Sequence, residues 1–566
     1  MIDILIFFIF FYGLLVSVVG YGLLFQKICF SHINQFEERT IIYVGFYGLF
    51  LITIISLITS LFSSHNFIHN GLLHLIGILS LILIGFKDKK KYLKNLFFIS
   101  IFTISALLIS KTHDDFPYYH LPFTRYLAEQ KIIFGMGLLS HGYKLISSLF
   151  FLNSTFYLPL INFFSFHFTL LFFLIFFNYF LLKEIISKST DEVIKYLYLF
   201  SFIFFNLSFN RIAEYGTDKA GQLLIVILII KFFQITCYDK NSNKNICNEI
   251  LILIPLIAFC ITLKTYFLSY ILLGLLVFFL NEKLLKALKI LCFSKSFVIF
   301  LLSLFFYFLH HFIATGCLIS PLSSTCFGDN LDWARSKEHF EFLSRWLEQW
   351  AKAGAGPNFR VENPQEYIQN FNWVPRWLEY YFAEKGKDQL LLLMFTFLVT
   401  FIFFINYKLR SKVLVLNKKI LFFYGIIIII FLIWFTNHPS LRYGGYSISF
   451  LAISIPVALL FKKFKSKISF EKNFKILAIL IIVFFNTKNF LRINKEFNRT
   501  DEFKFNNFPF FAIPEKKVIS EKTDSGLIIY KTNGHCWDVP SPCARGGLGK
   551  FTLKVRKKNS YYFIHR

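Results

Sequence analysis

Two adjacent carboxylates, Asp114 and Asp115, are the side chains of this sequence whose type and spacing best suit acid–base chemistry. Their neighbours are titratable or hydrogen-bonding groups, namely His113, Tyr118, Tyr119 and His120. A carboxylate held beside an acceptor hydroxyl or amine can remove its proton as a general base, which contributes about 10²- to 10⁴-fold to a rate. Adjacent carboxylates also tend to raise each other's pKa, so we expect the pKa of Asp115 to be raised in a desolvated cleft.

A structural interpretation of this pair stands beside the catalytic one. Aspartates at the start of a helix accept hydrogen bonds from its free N–H groups, and both residues come shortly after an apolar stretch. Acidic side chains at membrane depth are costly to bury and are functional candidates by default. Composition alone does not decide between helix capping and catalysis.

The composition places these residues in a polytopic membrane protein. Of the 566 residues, 56% are hydrophobic and 16% are charged, whereas soluble domains carry about 25% charged residues. Charged side chains are therefore too few to cover a soluble surface, which excludes a soluble enzyme, a disordered protein and a collagen-like fibre. The net charge of +27 lies in short clusters between apolar runs, so nucleic-acid binding is the weaker interpretation.

Fourteen apolar stretches are candidates for transmembrane helices, since about 20 residues cross a bilayer. Two of them are short for a crossing, so we expect 12 to 14 spans. The first has neither a basic n-region nor a small-residue cleavage site and is predicted to be an anchor. The stretches are 2–27, 40–63, 71–87, 96–111, 156–182, 196–210, 219–237, 249–263, 265–280, 297–315, 389–407, 419–436, 445–461 and 475–490.

The distribution of Lys and Arg predicts the orientation of these spans. Basic residues are concentrated in alternate loops, such as 87–95, 408–419 and 462–475, and cytoplasmic loops carry such an excess. The opposite side then holds both termini and the loops 111–155 and 316–388. We therefore expect a multi-pass protein of the bacterial inner (plasma) membrane, with its site on the periplasmic side.

The cysteines favour the same orientation. Two close pairs, Cys317/Cys326 and Cys536/Cys543, fall in segments assigned to the outer side, and disulfides form in oxidising compartments. Zinc bound by His535 and the second pair is the alternative. A structural zinc site takes four ligands and only three lie close together in the sequence, so we favour two disulfides.

Two outer segments differ from the apolar spans in character. The 316–388 segment is rich in Trp, and apolar residues between 340 and 350 follow a helical spacing. We favour a small helical cap, with an interfacial helix as the alternative, because Trp is enriched at membrane surfaces. After residue 490, stretches such as 526–532 alternate like strands, which predicts a small extracytoplasmic domain, either α+β or β-rich.

The order of residues 115–122, Asp-x-x-x-Tyr-His-Leu-Pro, resembles the first-outer-loop motif of the C-type (GT-C) integral-membrane glycosyltransferases, in their dolichyl-phosphate-mannose and aminoarabinose transferase-like branch. That resemblance implies a polyprenyl-phosphate-linked sugar as donor and inversion at the anomeric carbon. It also implies Asp115 as the catalytic base, with Asp114 as the second candidate. The neighbouring residues would bind substrate: His113, Tyr119 and His120.

The resemblance is incomplete. The family's second acid usually follows the aspartate directly, but Phe116 stands there and the extra carboxylate precedes it. A divalent metal ion held by Asp115 and Asp218 is therefore left open, and no cofactor is certain. The resemblance covers about 96–460. We predict additional transmembrane helices at 1–95, a membrane catalytic core at 96–490 and the extracytoplasmic domain at 491–566.

A phosphate leaving group needs cationic support, and three further outer segments supply it. Lys264 is a lone charge between apolar runs and could instead extend to the membrane surface. Arg211 could simply pair with Glu214. The substrate-binding candidates in these segments are Arg211, Glu214, Asp218, Lys219, Lys264, His438 and Arg442.

These residues predict an all-α GT-C-like glycosyltransferase that modifies an envelope glycan or lipid. Its expected partners are the polyprenyl-phosphate sugar, the acceptor and the lipid bilayer, without nucleic acid. The enzyme alternative is an O-antigen-type polysaccharide polymerase or ligase, which relies more on Arg and His in late outer loops. The non-enzyme alternative is a lipid-linked oligosaccharide transporter, for which charges inside spans and inverted repeats are expected.

Overall fold

The computed structural model describes residues 2–33, 35–85, 88–110, 113–209, 216–238, 243–279, 289–356, 358–409, 417–498, 504–545 and 553–565. Within them the chain is mostly helical. The α-helices are α1 (Ile2–Phe30), α2 (Phe36–Thr40), α3 (Val44–Thr59), α4 (Phe67–Leu83), α5 (Lys89–Thr103), α6 (Leu121–Glu129), α7 (Met136–Leu139), α8 (Ser148–Ser154), α9 (Phe168–Ile186), α10 (Glu192–Ser208), α11 (Thr217–Cys237), α12 (Asn243–Leu263), α13 (Lys295–Thr315), α14 (Lys337–Ala351), α15 (Pro364–Ile368), α16 (Val374–Arg376), α17 (Lys387–Phe404), α18 (Lys418–Asn437), α19 (Tyr446–Phe461) and α20 (Phe470–Phe497).

Tighter and wider helical turns connect or extend these helices. The 3₁₀ segments are Ile41–Tyr43, Ile104–Leu108, His141–Lys144, Phe163–Ser165, Thr265–Phe279, Ser323–Thr325 and Gly328–Asn330. The π-helical segments are Phe116–His120, Trp377–Gly386 and Leu441–Gly445. Two of these π-helical segments contain predicted site residues, since Phe116–His120 includes Tyr119 and Leu441–Gly445 includes Arg442. π-Turns often occur at functional sites.

Eleven helices of the described chain are long and apolar enough to cross a membrane, which agrees with the predicted polytopic membrane class. Each of the fourteen predicted stretches overlaps a helix. Three of them, 71–87, 196–210 and 265–280, correspond to α4, α10 and Thr265–Phe279, which have only 17, 17 and 15 residues. The number of spans and their sidedness therefore stay predictions.

Two central helices organise the membrane part. In α9 and α11, 83% and 89% of the most apolar window is buried, against 22% in α20. One hydrophobic core extends from Phe7 to Phe485, so the first helices pack with the later ones. Helices α9 and α11 therefore lie inside the helical bundle, whereas most of the α20 window is exposed on its outside. The predicted boundaries at 95 and 490 stay predictions.

Short strands lie mostly in the C-terminal region, where the sequence predicts them. The strands are β1 (Ala355–Gly356), β2 (Phe359–Arg360), β3 (Ile405–Leu409), β4 (Phe464–Ser466), β5 (Lys504–Asn507), β6 (Phe510–Ala512), β7 (Val518–Lys522), β8 (Ile528–Thr532), β9 (Cys543–Arg545), β10 (Lys554–Lys558) and β11 (Tyr561–His565). The strands pair as β1–β2, β3–β4, β5–β6, β7–β8–β9 and β10–β11. All pairs are antiparallel except β8–β9.

Both predicted disulfides are confirmed, Cys317–Cys326 and Cys536–Cys543. Because its two cysteines are bonded to each other, the second pair has no thiolates for zinc. The first disulfide packs on the buried face of α14, where Phe340 and Leu343 contact it.

The loop that contains the 115–122 motif, the cap segment 316–388 and the C-terminal region meet at one end of the helices. The Trp377 indole N–H of the cap donates to the Pro439 carbonyl, 2.9 Å away. The Phe134 N–H, after α6, donates to the Tyr562 carbonyl of β11 at 2.9 Å, and the Ile564 N–H donates back to Phe134 at the same distance. The segments predicted to be outer are thus brought to one face.

Candidate active site

Asp115 immediately precedes the π-helical segment Phe116–His120, which leads into α6. Its carboxylate accepts no hydrogen bond from the backbone of this segment, so the helix-capping interpretation does not hold for Asp115. Instead, its Oδ2 accepts from Nη2 of Arg442 at 2.5 Å and lies 3.5 Å from Nδ1 of His113. The side chain is held by another part of the chain rather than by its own turn.

Arg442 connects two acids that are far apart in the sequence. Its Nε donates to Oδ2 of Asp218 at 2.9 Å, while its Nη2 binds Asp115. Asp218 lies in the first turn of the buried helix α11 and also forms a salt bridge with Lys264. Lys264 in turn donates to the Arg442 carbonyl at 3.3 Å. Four predicted residues thereby form one network, Lys264–Asp218–Arg442–Asp115.

The four members of this network differ in exposure. The Arg442 side chain is 47% exposed, whereas those of Asp115, Asp218 and Lys264 are 21%, 16% and 17% exposed. Arg442 is therefore the member that an incoming ligand can reach most easily. Lys264 pairs with Asp218 inside the protein, so extension to the membrane surface does not describe it.

The expected raised pKa of Asp115 is wrong. Burial acts to raise the pKa of its carboxyl, but the hydrogen bond from His113 and the positive charges of Arg442 and His120 lower it well below the usual range. The hydrogen bond from His113 has the largest lowering effect, and a guanidinium within hydrogen-bond distance further stabilises the charged form. Asp115 is consequently deprotonated, and its basicity is masked while Arg442 is bound.

A glycine makes the turn that carries Arg442. Gly444, in the segment Leu441–Gly445, has a φ of +85°, and an added Cβ would lie 2.8 Å from the Tyr266 ring. Only glycine adopts this conformation without penalty. Gly444 thus lets the turn approach the helical segment that follows Lys264.

We expect Gly444→Ala to destabilise this turn. The positive φ alone costs an L-residue about 1–2 kcal/mol, so the midpoint of thermal unfolding in detergent should fall by about 1–4 °C. Gly425→Ala in α18 is the matched control, since its added Cβ meets no atom within 4 Å, and alanine favours a helix. Equal midpoints for the two variants would contradict the role of Gly444.

The other predicted residues of the motif surround the network, and the charge of His120 acts on the pKa of Asp115. His120 is 1% exposed and packs against Phe150, at 5.5 Å between ring centroids. Tyr119 packs edge-to-face on His120 at 4.4 Å. Asp114 is exposed, and among the described residues it has no hydrogen bond or salt bridge. Their predicted roles in catalysis and substrate binding stay predictions.

Two basic candidates also border the network, and two other candidates cannot be placed. Lys219 lies 4.4 Å from the Tyr446 ring centroid and donates to the Ser208 carbonyl at 3.4 Å. His438 packs edge-to-face on Tyr443 at 5.8 Å. Burial, together with the charges of Lys352 and Lys264, lowers the pKa of His438 to about 4. The remaining two candidates lie outside the described residues: Arg211 and Glu214.

The arrangement does not fit a divalent metal ion. In the described part of the chain, no three His, Cys, Asp or Glu side chains are grouped so that they could hold one. Asp115 and Asp218 are joined by a guanidinium, which occupies the position between the two carboxylates.

Sequence reasoning missed a second basic group beside the motif. The Lys144 side chain is buried, and its Nζ lies 2.6 Å from Nε2 of His339 in the cap. Burial, with Arg335 nearby, lowers the pKa of Lys144 to about 8. The His141 ring is parallel to that of Tyr118, with centroids 6.1 Å apart. A lone Lys between apolar runs, the signal that singled out Lys264, would have identified Lys144.

The C-terminal disulfide loop also reaches the motif, which the sequence did not predict. The Trp537 N–H donates to the Pro117 carbonyl at 3.1 Å, and its ring packs edge-to-face on Phe116 at 5.9 Å. The Arg545 guanidinium lies 5.0 Å from the Tyr118 ring centroid. The loop that Cys536–Cys543 closes therefore covers one side of the turn that begins at Asp115.

The chain belongs to the family described as Domain of unknown function (DUF8201), whose model matches residues 1–449. The match includes Asp115, Asp218, Lys264 and Arg442, and it includes the first three predicted spans, for which the resemblance offered no counterpart. No curated protein and no solved structure matches the chain.

Proposed function

We propose that the protein is a membrane glycosyltransferase that moves a sugar from a polyprenyl-phosphate donor to a hydroxyl or amine of an envelope glycan or lipid. Its site would face the periplasm of a bacterial inner membrane, as the basic loops predict. The observation that carries the proposal is the pairing of Asp115 with Arg442 at 2.5 Å. A base and a cation suited to a phosphate are thereby held side by side.

The network supports a simple order of events. Before the donor binds, Arg442 masks the basicity of Asp115. The donor phosphate competes for the half-exposed guanidinium, because arginine binds phosphate with two parallel hydrogen bonds. Once this contact forms, the charge that lowers the pKa of Asp115 is shared with the phosphate. The Asp115 carboxylate then becomes a better base, beside the bound phosphate that is the leaving group.

In the chemical step, Asp115 takes the proton of the acceptor hydroxyl or amine. The acceptor atom attacks the anomeric carbon opposite the phosphate, and the bond between that carbon and the phosphate oxygen breaks. Its electron pair stays on the lipid phosphate, which Arg442 and Lys264 stabilise. The configuration at the anomeric carbon is inverted, because bond formation and bond breaking occur on opposite faces.

The alternatives are less well supported. A polysaccharide polymerase or ligase is favoured by one observation, the central position of Arg442 with His438 nearby in a late loop. Such an enzyme would transfer a glycan chain rather than a single sugar. A transporter would place its charges inside the spans, whereas the network described here lies at the ends of α11, α12 and α19.

The test is transfer of label from a panel of polyprenyl-phosphate sugars by the full chain in proteoliposomes. We expect transfer from at least one single-sugar donor, with inversion at the anomeric carbon. Liposomes without protein are the control. Transfer of only preassembled glycan chains would favour the polymerase or ligase. Movement of lipid-linked oligosaccharide between leaflets, without transfer from any donor, would contradict the proposal.

A further inference from the structure

An apolar groove lies on the lipid-facing side of α5, α9, α10 and α20, away from the candidate active site. Its cavity volume is about 530 Å³. Phe98 and Phe102 of α5 line the groove and are 47% and 45% exposed, so it opens sideways toward the bilayer. Phe202 and Phe485 close its inner side and are almost fully buried.

One polar group in this groove lacks a partner. The Tyr179 side chain lines the groove and is 2% exposed, yet its hydroxyl has no hydrogen bond within the described chain. A buried hydroxyl left unsatisfied costs about 1–3 kcal/mol, so this one is suited to a ligand oxygen. The other buried polar side chains there have partners: Asn178 and Asn206 donate to each other at 2.9 and 2.7 Å, and the Thr103 hydroxyl donates to the Ile99 carbonyl at 2.9 Å.

A basic pocket continues from the end of the groove. Its volume is about 740 Å³, and Ile186 lines both cavities. Four lysines line it against two glutamates, and none of these lysines makes a salt bridge in the described residues. The lysines are Lys188, Lys195, Lys472 and Lys475. Lys188 lies between α9 and α10, Lys195 lies in the first turn of α10, and the other two lie at the start of α20. All four are on the side predicted to be cytoplasmic.

We propose that the groove and the basic pocket together bind one anionic phospholipid. The headgroup phosphate lies among the lysines, an acyl chain fills the groove, and the Tyr179 hydroxyl donates to a lipid oxygen. Charge complementarity identifies the occupant, because anionic lipids of the cytoplasmic leaflet attract basic groups at the membrane surface. An apolar groove alone would take any lipid chain, whereas the lysines select a negative headgroup. This site is independent of the proposed transferase activity.

Native mass spectrometry of the purified full chain tests the site, with phosphatidylglycerol and phosphatidylcholine of identical acyl chains as probes. We expect one phosphatidylglycerol to be retained, at least about tenfold more tightly than phosphatidylcholine. The double variant Lys472→Gln/Lys475→Gln should lower that affinity at least about tenfold. The matched control is Lys463→Gln/Lys465→Gln, which removes the same charge from exposed residues outside the pocket. This control should change the affinity for phosphatidylglycerol less than about twofold.

Two substitutions test the groove itself. Ala478→Trp places a bulky side chain in the groove and should abolish retention of the lipid. Tyr179→Phe removes one oxygen atom with little change of volume and should weaken retention about fivefold, as loss of one hydrogen bond predicts. Equal retention of the two lipids, an equal effect of the control pair, or unchanged retention in both groove variants would overturn the proposal.

Discussion

Asp115→Asn should lower kcat for sugar transfer by at least about a hundredfold, because an amide cannot take the acceptor proton. The substitution keeps the shape of the side chain and one oxygen that can accept from Arg442, so the protein should stay folded. Donor affinity should change little, since Arg442 and Lys264 remain. The measurement is kcat and KM for the donor in proteoliposomes, with the thermal unfolding midpoint as the check on folding.

Asp114→Asn is the matched control for this prediction. Asp114 is the neighbouring carboxylate, but it is exposed and lies outside the network of Asp115, Arg442, Asp218 and Lys264. Its substitution should change kcat by less than about threefold, within the range of a surface change. Activity of Asp115→Asn equal to wild type would contradict the role of Asp115 as base. A large loss in Asp114→Asn alone would move that role to Asp114.

The four charged residues of the network could be predicted from the sequence, but their contacts could not. The carboxylate pair and its motif predict Asp115, and the need of a phosphate leaving group for cations predicts Lys264 and Arg442. Asp218 is predicted as a substrate-binding acid or metal ligand. Arg442 bridges two carboxylates 327 and 224 positions away, and this pairing depends on how α11 and α19 pack. The wrong expectation for the pKa of Asp115 has partly the same origin, because the Arg442 guanidinium that lowers it is distant in the sequence.

For the fold as well, the elements could be predicted from the sequence, whereas some contacts between them could not. Hydrophobic stretches of span length predicted the helices, and two close cysteine pairs predicted the disulfides. Docking of the C-terminal loop on Pro117 was not predictable, since a backbone hydrogen bond from Trp537 leaves no pattern in residue types. The span number is uncertain for a physical reason. Short helices such as α10 are buried among others, and length alone does not say whether they cross the bilayer.

Arg442→Gln should lower kcat/KM for the donor by about 10²- to 10³-fold, the cost of removing one positioned donor from a developing negative charge. Two effects combine in this variant. The phosphate loses its most accessible cation, so KM for the donor should rise. The leaving group also loses stabilisation in the transition state, so kcat should fall as well. Arg442→Lys is the matched variant; it keeps the charge but cannot bridge Asp115 and Asp218, and should recover only part of the loss.

The pH profile of kcat/KM shows whether Arg442 controls the pKa of Asp115 or has only a structural role. In the wild type, the pKa of Asp115 is held low by His113 and Arg442, so the base stays deprotonated into acidic solution. Without the guanidinium, the pKa of Asp115 rises, and the carboxylate takes a proton at a higher pH. The acid limb of kcat/KM should therefore move to higher pH in Arg442→Gln and less in Arg442→Lys. Superimposable acid limbs would show that Arg442 does not control Asp115, because a change in folding alone would scale the profile without shifting it.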